Sequence, residues 1–235
     1  MQSVCAAPKQ ARGRNPLLTK RFSGRPEDIE CLYDAITRGD KGDWMCYVIG
    51  RGNNPVDLRG VCLAGRDMSG WHMEGAIFGN ADLSGANLSG AKMAHVKISG
   101  ANLSGALMVT TDLECAEISS SDLRGADLTR AHLRMARLTD VTASGAVFKN
   151  ARMYGAELKN CDFANADFSG ADGRYGSCVD CDLSWADLHG SNFARAVFSN
   201  VKLNNANLTL AYFCDAQVFG VELEGADMRG CSLKK

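Results

Sequence analysis

The sequence predicts an all-β solenoid, a four-sided coil of short extended segments, on three observations. A large apolar residue recurs every five positions in 36 in-register units from Val56 to Lys235, and only Ala143, Gly173 and Cys178 break the rule. Alanine occupies 21 of the 36 positions two residues before those centres. Similarity then returns at 20 residues: positions 86, 106, 126, 146, 166, 186, 206 and 226 are all Ala, and Gly65, Gly85, Gly105, Gly125 and Gly145 close units one such interval apart. Periodicity of this kind marks a repeat architecture. A period of five fits neither an α-helix nor a flat sheet. The centre and the small residue two before it are strand-spaced and face inward together, leaving Asp or Asn between them in water. The closing Gly or Asn supplies a corner, because these residues tolerate unusual backbone angles. Four units per turn gives nine coils, each stacked about 4.8 Å on the last, roughly 43 Å of rod.

Each segment follows in order. Residues 1–25 carry Lys9, Arg12, Arg14, Lys20, Arg21 and Arg25 and no acid, which predicts a basic, disordered tail. Residues 26–55 predict a cap for the first coil. Pro26 opens a helix, Glu27, Asp28 and Glu30 sit at its positive end, Gly39 stops it, and Ile29, Leu32, Tyr33 and Ile36 form one apolar stripe. The stretch Trp44 to Gly50 is expected to be an extended lead-in, and Trp71, where the repeat calls for Ala, is expected to pack on the cap. The repeat itself fills 56–235. After its last unit no second cap follows, so Val218, Leu223, Met228 and Leu233 are expected at a bare end beside outward Val179, Val197 and Phe219. Exposed apolar area and open strand edges invite pairing, and a homodimer through these coils is expected.

The unit resembles the A-(D/N)-L-x-x pattern of the pentapeptide-repeat family, as in "ADLSGANLSGA" from Ala81, and the resemblance covers 56–235. It implies a right-handed quadrilateral β-helix. It does not imply one function, since the family includes bacterial proteins that bind DNA gyrase as DNA mimics and effectors secreted into host cells.

Chemistry is sparse. Cys178 and Cys181 form a C-x-x-C pair near Cys161, a spacing that elsewhere signals a redox or zinc site. Here the repeat places all three in core slots, where cysteine serves as a small hydrophobe, and no cofactor or metal is expected. Gly173 and Cys178 replace two successive large centres, which predicts a bent or bulged coil, or a cleft near Tyr175, unless Phe168 or Phe193 fills the space. The four histidines, His72, His95, His132 and His189, all point outward, and a regular wall offers no converging catalytic groups. No enzyme activity is expected.

Charge by face is more informative. The formal net charge is −1 overall, which argues against direct nucleic-acid binding, and no apolar run approaches the ~18 residues of a membrane span. Two adjacent faces collect outward carboxylates, and Asp122, Asp127, Asp162, Asp167, Asp182 and Asp187 form the candidate acidic binding face, interrupted by Arg124, Arg130, Lys149, Lys202 and Arg229. The leading expectation is a non-catalytic scaffold presenting a rigid charged rod to protein partners. The alternatives are a DNA-mimicking binder of gyrase or topoisomerase, and a secreted effector. A cytoplasmic location is expected, the alternative being secretion or organelle targeting through residues 1–25.

Overall fold

The structure, a computed structural model, describes residues 24–50 and 54–233. The expected tail lies outside the described residues as far as residue 23. Gly24 and Arg25 are tied to the first coil, their N–H groups donating to the carbonyls of Arg59 and Asp57.

The chain forms a parallel β-solenoid. Seven three-residue strands, β1 (Lys97–Ser99), β2 (Glu117–Ser119), β3 (Arg137–Thr139), β4 (Glu157–Lys159), β5 (Ser177–Val179), β6 (Val197–Ser199) and β7 (Gln217–Phe219), stack in sequence order at 20-residue register. Isolated parallel bridges at the same interval continue this face down to Asp57 and line the other three. In chain order the faces are the strand face (centres Leu58 to Val218), the second (Leu63 to Leu223), the third (Met68 to Met228) and the fourth (Met73 to Leu233).

Backbone hydrogen bonds explain the period. At a centre such as Leu83 the N–H donates upward to Asn102 O at 2.7 Å, and the Leu83 carbonyl accepts from Ala86 N–H at 3.1 Å across the corner. Closing that corner requires a left-handed residue, Gly85 at φ 60° here, and glycine takes it without steric cost. The inward pair, Leu83 and Ala86, is fully buried. A core one large side chain deep on each wall leaves room only for Ala at the corners, which is why the composition is poor in aromatics.

The cap differs from expectation in one element. Helix α1 (Pro26–Arg38) forms as expected, ending at Gly39 with φ 66°. The stretch expected to be extended is instead a second helix, α2 (Lys41–Gly50). The β-type residues of "WMCYVIG" are overridden by tertiary contacts: Trp44 is buried, packs on Trp71 with ring centroids 6.1 Å apart, and donates its indole N–H to His72 O at 2.7 Å. Asp28, with no exposed surface, accepts the Asp57 backbone N–H at 2.7 Å, pairs with Arg25 at 3.2 Å and takes the Tyr47 hydroxyl. Tyr33 bonds Cys62 O at 2.7 Å. These contacts fasten the cap to the first coil with directional bonds as well as burial.

At Gly173 the structure shows no bulge: the ladder keeps its 20-residue register. Cys178 pairs in register with Leu158 below and Phe198 above, and the missing side chain is replaced from the next coil. A Cβ on Gly173 would lie 2.2 Å from Cε1 of Phe193. That ring, edge-on to Phe198 at 5.3 Å and stacked on Phe213 at 5.6 Å, occupies the vacated centre. Only a shallow hollow of about 10 Å³, lined by Gly173, Gly176 and Phe193, remains there, and Tyr175 stands outside it on a corner, 48% exposed.

Candidate interaction faces

The six candidate aspartates lie on the second and third faces, all half-buried. Each has a structural duty the sequence did not disclose. The Oδ1 of Asp162 accepts the backbone N–H of Ala164 at 3.0 Å, Asp167 that of Ser169 at 2.8 Å, Asp182 that of Ser184 at 2.8 Å and Asp187 that of His189 at 2.9 Å. Asp122 and Asp127 do the same for Arg124 and Thr129. Asn87, Asn102 and Asn207 make the same bond to Ser89, Ser104 and Thr209. The Asp/Asn position of the repeat is therefore an Asx turn, a side-chain oxygen holding the backbone two residues on. One oxygen is committed to the fold; the second remains on the surface.

Charge is then trimmed locally. Arg124 forks Asp122, Nη2 to Oδ2 at 2.6 Å, and that bond holds the carboxyl below the usual carboxylate range. Lys202 approaches Asp182 at 3.9 Å, and Asn207 donates to Asp187 Oδ1 at 2.9 Å. Asp162 stands directly below Asp182, and Asp167 below Asp187. Between these two stacked pairs, on the corner joining the second and third faces, sits Trp185, 63% exposed at φ 64°. Sequence reasoning missed it. Its signal was available: position 185 is a corner slot, where this repeat elsewhere favours Gly or Asn.

The corner between the fourth and strand faces carries a second feature that the sequence reading also missed. Tyr154 and Tyr175 lie 5.1 Å apart; Arg134 and Arg174 each sit 5.9 Å from the Tyr154 centroid, and Arg195 sits 5.5 Å from that of Tyr175. Arg195 also donates to the Tyr175 hydroxyl at 2.6 Å. Arginine and tyrosine thus alternate up the rod, each guanidinium held against a ring.

The cysteine cluster is interior. Cys161, Cys178 and Cys181 are buried. The Cys161 thiol is pushed well up by its bond with Cys181 and by burial. For Cys181 the bond with Cys161 acts downward, but the bond with Cys178 and burial outweigh it and raise the thiol to about 12. Neutral, buried thiols are poor nucleophiles and poor metal ligands. Among the described residues no group of three His, Cys, Asp or Glu is placed to hold a metal ion. With a disulfide-exchange reagent at pH 8, exposed Cys46 and Cys62 are expected to label at once, and Cys161, Cys178 and Cys181 only on unfolding. Rapid labelling of those three in the native rod would show that the core opens.

Around the last coil the residues expected as dimer contacts are exposed or half-buried. Val218 is 45% exposed, Phe219 59%, Leu223 39% and Leu233 55%, and Met228 is half-buried. They line a hollow of about 470 Å³ floored by Phe198, Leu203, Leu208 and Phe213. Val179 and Val197 are half-buried on the strand face nearby. No described helix is long and apolar enough to cross a membrane.

The five-residue repeat is shared with known proteins. The family described as pentapeptide repeats matches overlapping segments, 56–90, 67–105, 91–130, 144–172, 151–190, 177–215 and 191–234. No curated protein matches. Among solved structures, HetL, a pentapeptide repeat protein involved in heterocyst differentiation regulation from the cyanobacterium Nostoc sp. strain PCC 7120, is 22% identical over 80% of this chain and 94% of its own, with a TM-score of 0.34. QnrB1, a plasmid-mediated fluoroquinolone resistance protein, is 23% identical over 75% of this chain and 91% of its own, at 0.42. Rfr23 from the cyanobacterium Cyanothece 51142 is 19% identical over 50% and 90%, at 0.24. With family matches running through most of the solenoid, this chain belongs to the pentapeptide-repeat family.

Proposed function

We propose that the protein is a non-catalytic interaction scaffold whose acidic faces receive a protein partner and whose C-terminal coil is covered by a second copy. The observation that carries the partner face is Trp185, 63% exposed between the stacked pairs Asp162/Asp182 and Asp167/Asp187. A tryptophan ringed by carboxylates joins a large apolar anchor to directional acceptors, and tryptophan is enriched among residues that dominate binding energy. The partner chemistry this fits is a basic surface with an apolar notch.

Substituting Asp162, Asp167, Asp182 and Asp187 by Asn tests the face cleanly, because Asn keeps each backbone bond and removes only charge. Capture of a specific partner is expected to fall at least tenfold with that variant and with Trp185→Ala, far-UV circular dichroism being unchanged. Equal capture by all three proteins would sink the reading. The stacked aspartates also motivate a second reading, mimicry of DNA toward gyrase or topoisomerase, in which purified enzyme is inhibited by the native rod and not by the four-Asn variant. The end contact predicts a dimer by light scattering that Phe219→Asp converts to monomer; a strictly monomeric native protein at tens of micromolar would exclude it.

A further inference from the structure

Several large side chains occupy corner slots where glycine would be free of strain, five of them on the upper coils. Trp185 (φ 64°), Leu210 (φ 59°), Met135 (φ 56°), Tyr175 (φ 60°) and Arg195 (φ 61°) all hold the left-handed conformation, at roughly 1–2 kcal/mol each. All five are exposed. Strain retained on the surface asks for a use outside the fold.

Their placement suggests one. In a four-sided rod the second and fourth faces are opposite, so a copy moved sideways without rotation lays its second face against the fourth face of its neighbour. Residue number then measures height, about 4.8 Å per 20 residues. Asp162 comes within half a coil of Arg152, and Asp182 within half a coil of Arg174, which already forks Asp172 on the same face at 2.7 Å. Along one border Asp180 arrives between Tyr175 and Arg195. Along the other, Trp185 arrives at Gly190, where a Cβ would meet nothing within 4 Å, with exposed Leu210 one coil above.

We propose that the protein associates with itself side by side, the acidic second face of one copy docking on the arginine–tyrosine fourth face of the next. Arg152 stands one coil below Asp172, whose carboxylate is turned to Arg174. Arg134 reaches Glu114 only at 3.9 Å, and Arg195 reaches Asp215 at 3.5 Å, so donor capacity remains on this face. The tyrosine rings favour a protein over a nucleic acid. Tyr154 and Tyr175 are already covered by guanidiniums and by each other, so bases have no free ring to stack on, whereas pre-placed arginines present N–H edges to carboxylates. A second solenoid offers carboxylates at the same pitch as these arginines; an extended peptide, with alternate residues almost 7 Å apart, drifts out of step. The contact is heterologous, so it extends beyond pairs.

Purified protein alone tests this, and the outcome is separate from partner capture. Sedimentation at about 10 mM salt, where the Debye length is ~30 Å, is expected to show masses growing past a dimer with concentration. They should fall back at about 1 M, where it is ~3 Å. One variant, Asp162→Asn with Asp180→Asn and Asp182→Asn, loses the acidic face; another, Arg152→Gln with Arg195→Gln, loses the basic one. Each alone should stop growing, while an equimolar mixture of the two made in the Phe219→Asp background, which lacks the end contact and recreates one intact side interface, should form mixed pairs and no larger array. The apolar end contact is untouched by the face substitutions themselves and is not weakened by salt. Growth that is unaffected by either variant, or native protein that never exceeds a dimer at low salt, overturns the proposal, as does a mixture that behaves as the sum of its parts.

Discussion

Replacing Phe168 with alanine is expected to lower the unfolding free energy by about 3–5 kcal/mol, the range for losing a buried phenylalanine. Phe168 lies flat on Phe148, centroids 4.7 Å apart and planes within 3°, while Phe163 meets both rings edge-on at 5.6 and 5.3 Å. All three rings are fully buried. A solenoid contacts only neighbouring coils, so no distant element can collapse into the hole, which places the cost at the upper end of the range. Chemical denaturation with circular dichroism measures it. A loss below about 1 kcal/mol would mean that adjacent coils close up after all.

The second large effect runs against the consensus of the repeat. Gly173→Leu restores the commonest centre residue, yet it is expected to destabilise by about 1–3 kcal/mol, the cost of overpacking. The added Cβ alone would fall 2.2 Å from the Phe193 ring. Combining it with Phe193→Ala should recover part of both losses, since neighbouring substitutions that share one space are not additive. Additive losses would show that Phe193 does not fill the position.

This pair also shows where sequence reasoning reached and where it stopped. Register, the inward centres, the four columns and the first cap helix were all readable, because each is a local pattern repeated many times. The second helix was not: residues 44–50 have β-type composition, and only the docking of Trp44 against Trp71 and His72 decides their state. The defect at Gly173 was visible, but its consequence depends on a ring one coil away, and a string of residues does not show which way Phe193 turns. For the faces, the repeat placed the aspartates outward but did not disclose their bonds to the backbone. Their recurrence reflects a backbone requirement, so abundance alone did not mark a binding surface. The informative residues, Trp185 and the arginine–tyrosine edge, are departures at corner slots, and a search for the most repeated residue passes over them.

The turn that recruits Asp or Asn to many of the outward slots has a wider consequence. Asp187 and Asn207 stand one coil apart and hold their backbones identically, though one carries a charge and the other does not. Exchanging them changes a single side-chain atom from oxygen to nitrogen. The electrostatic pattern of the rod can therefore be rewritten coil by coil at almost constant stability, which separates what the surface says from how the chain folds.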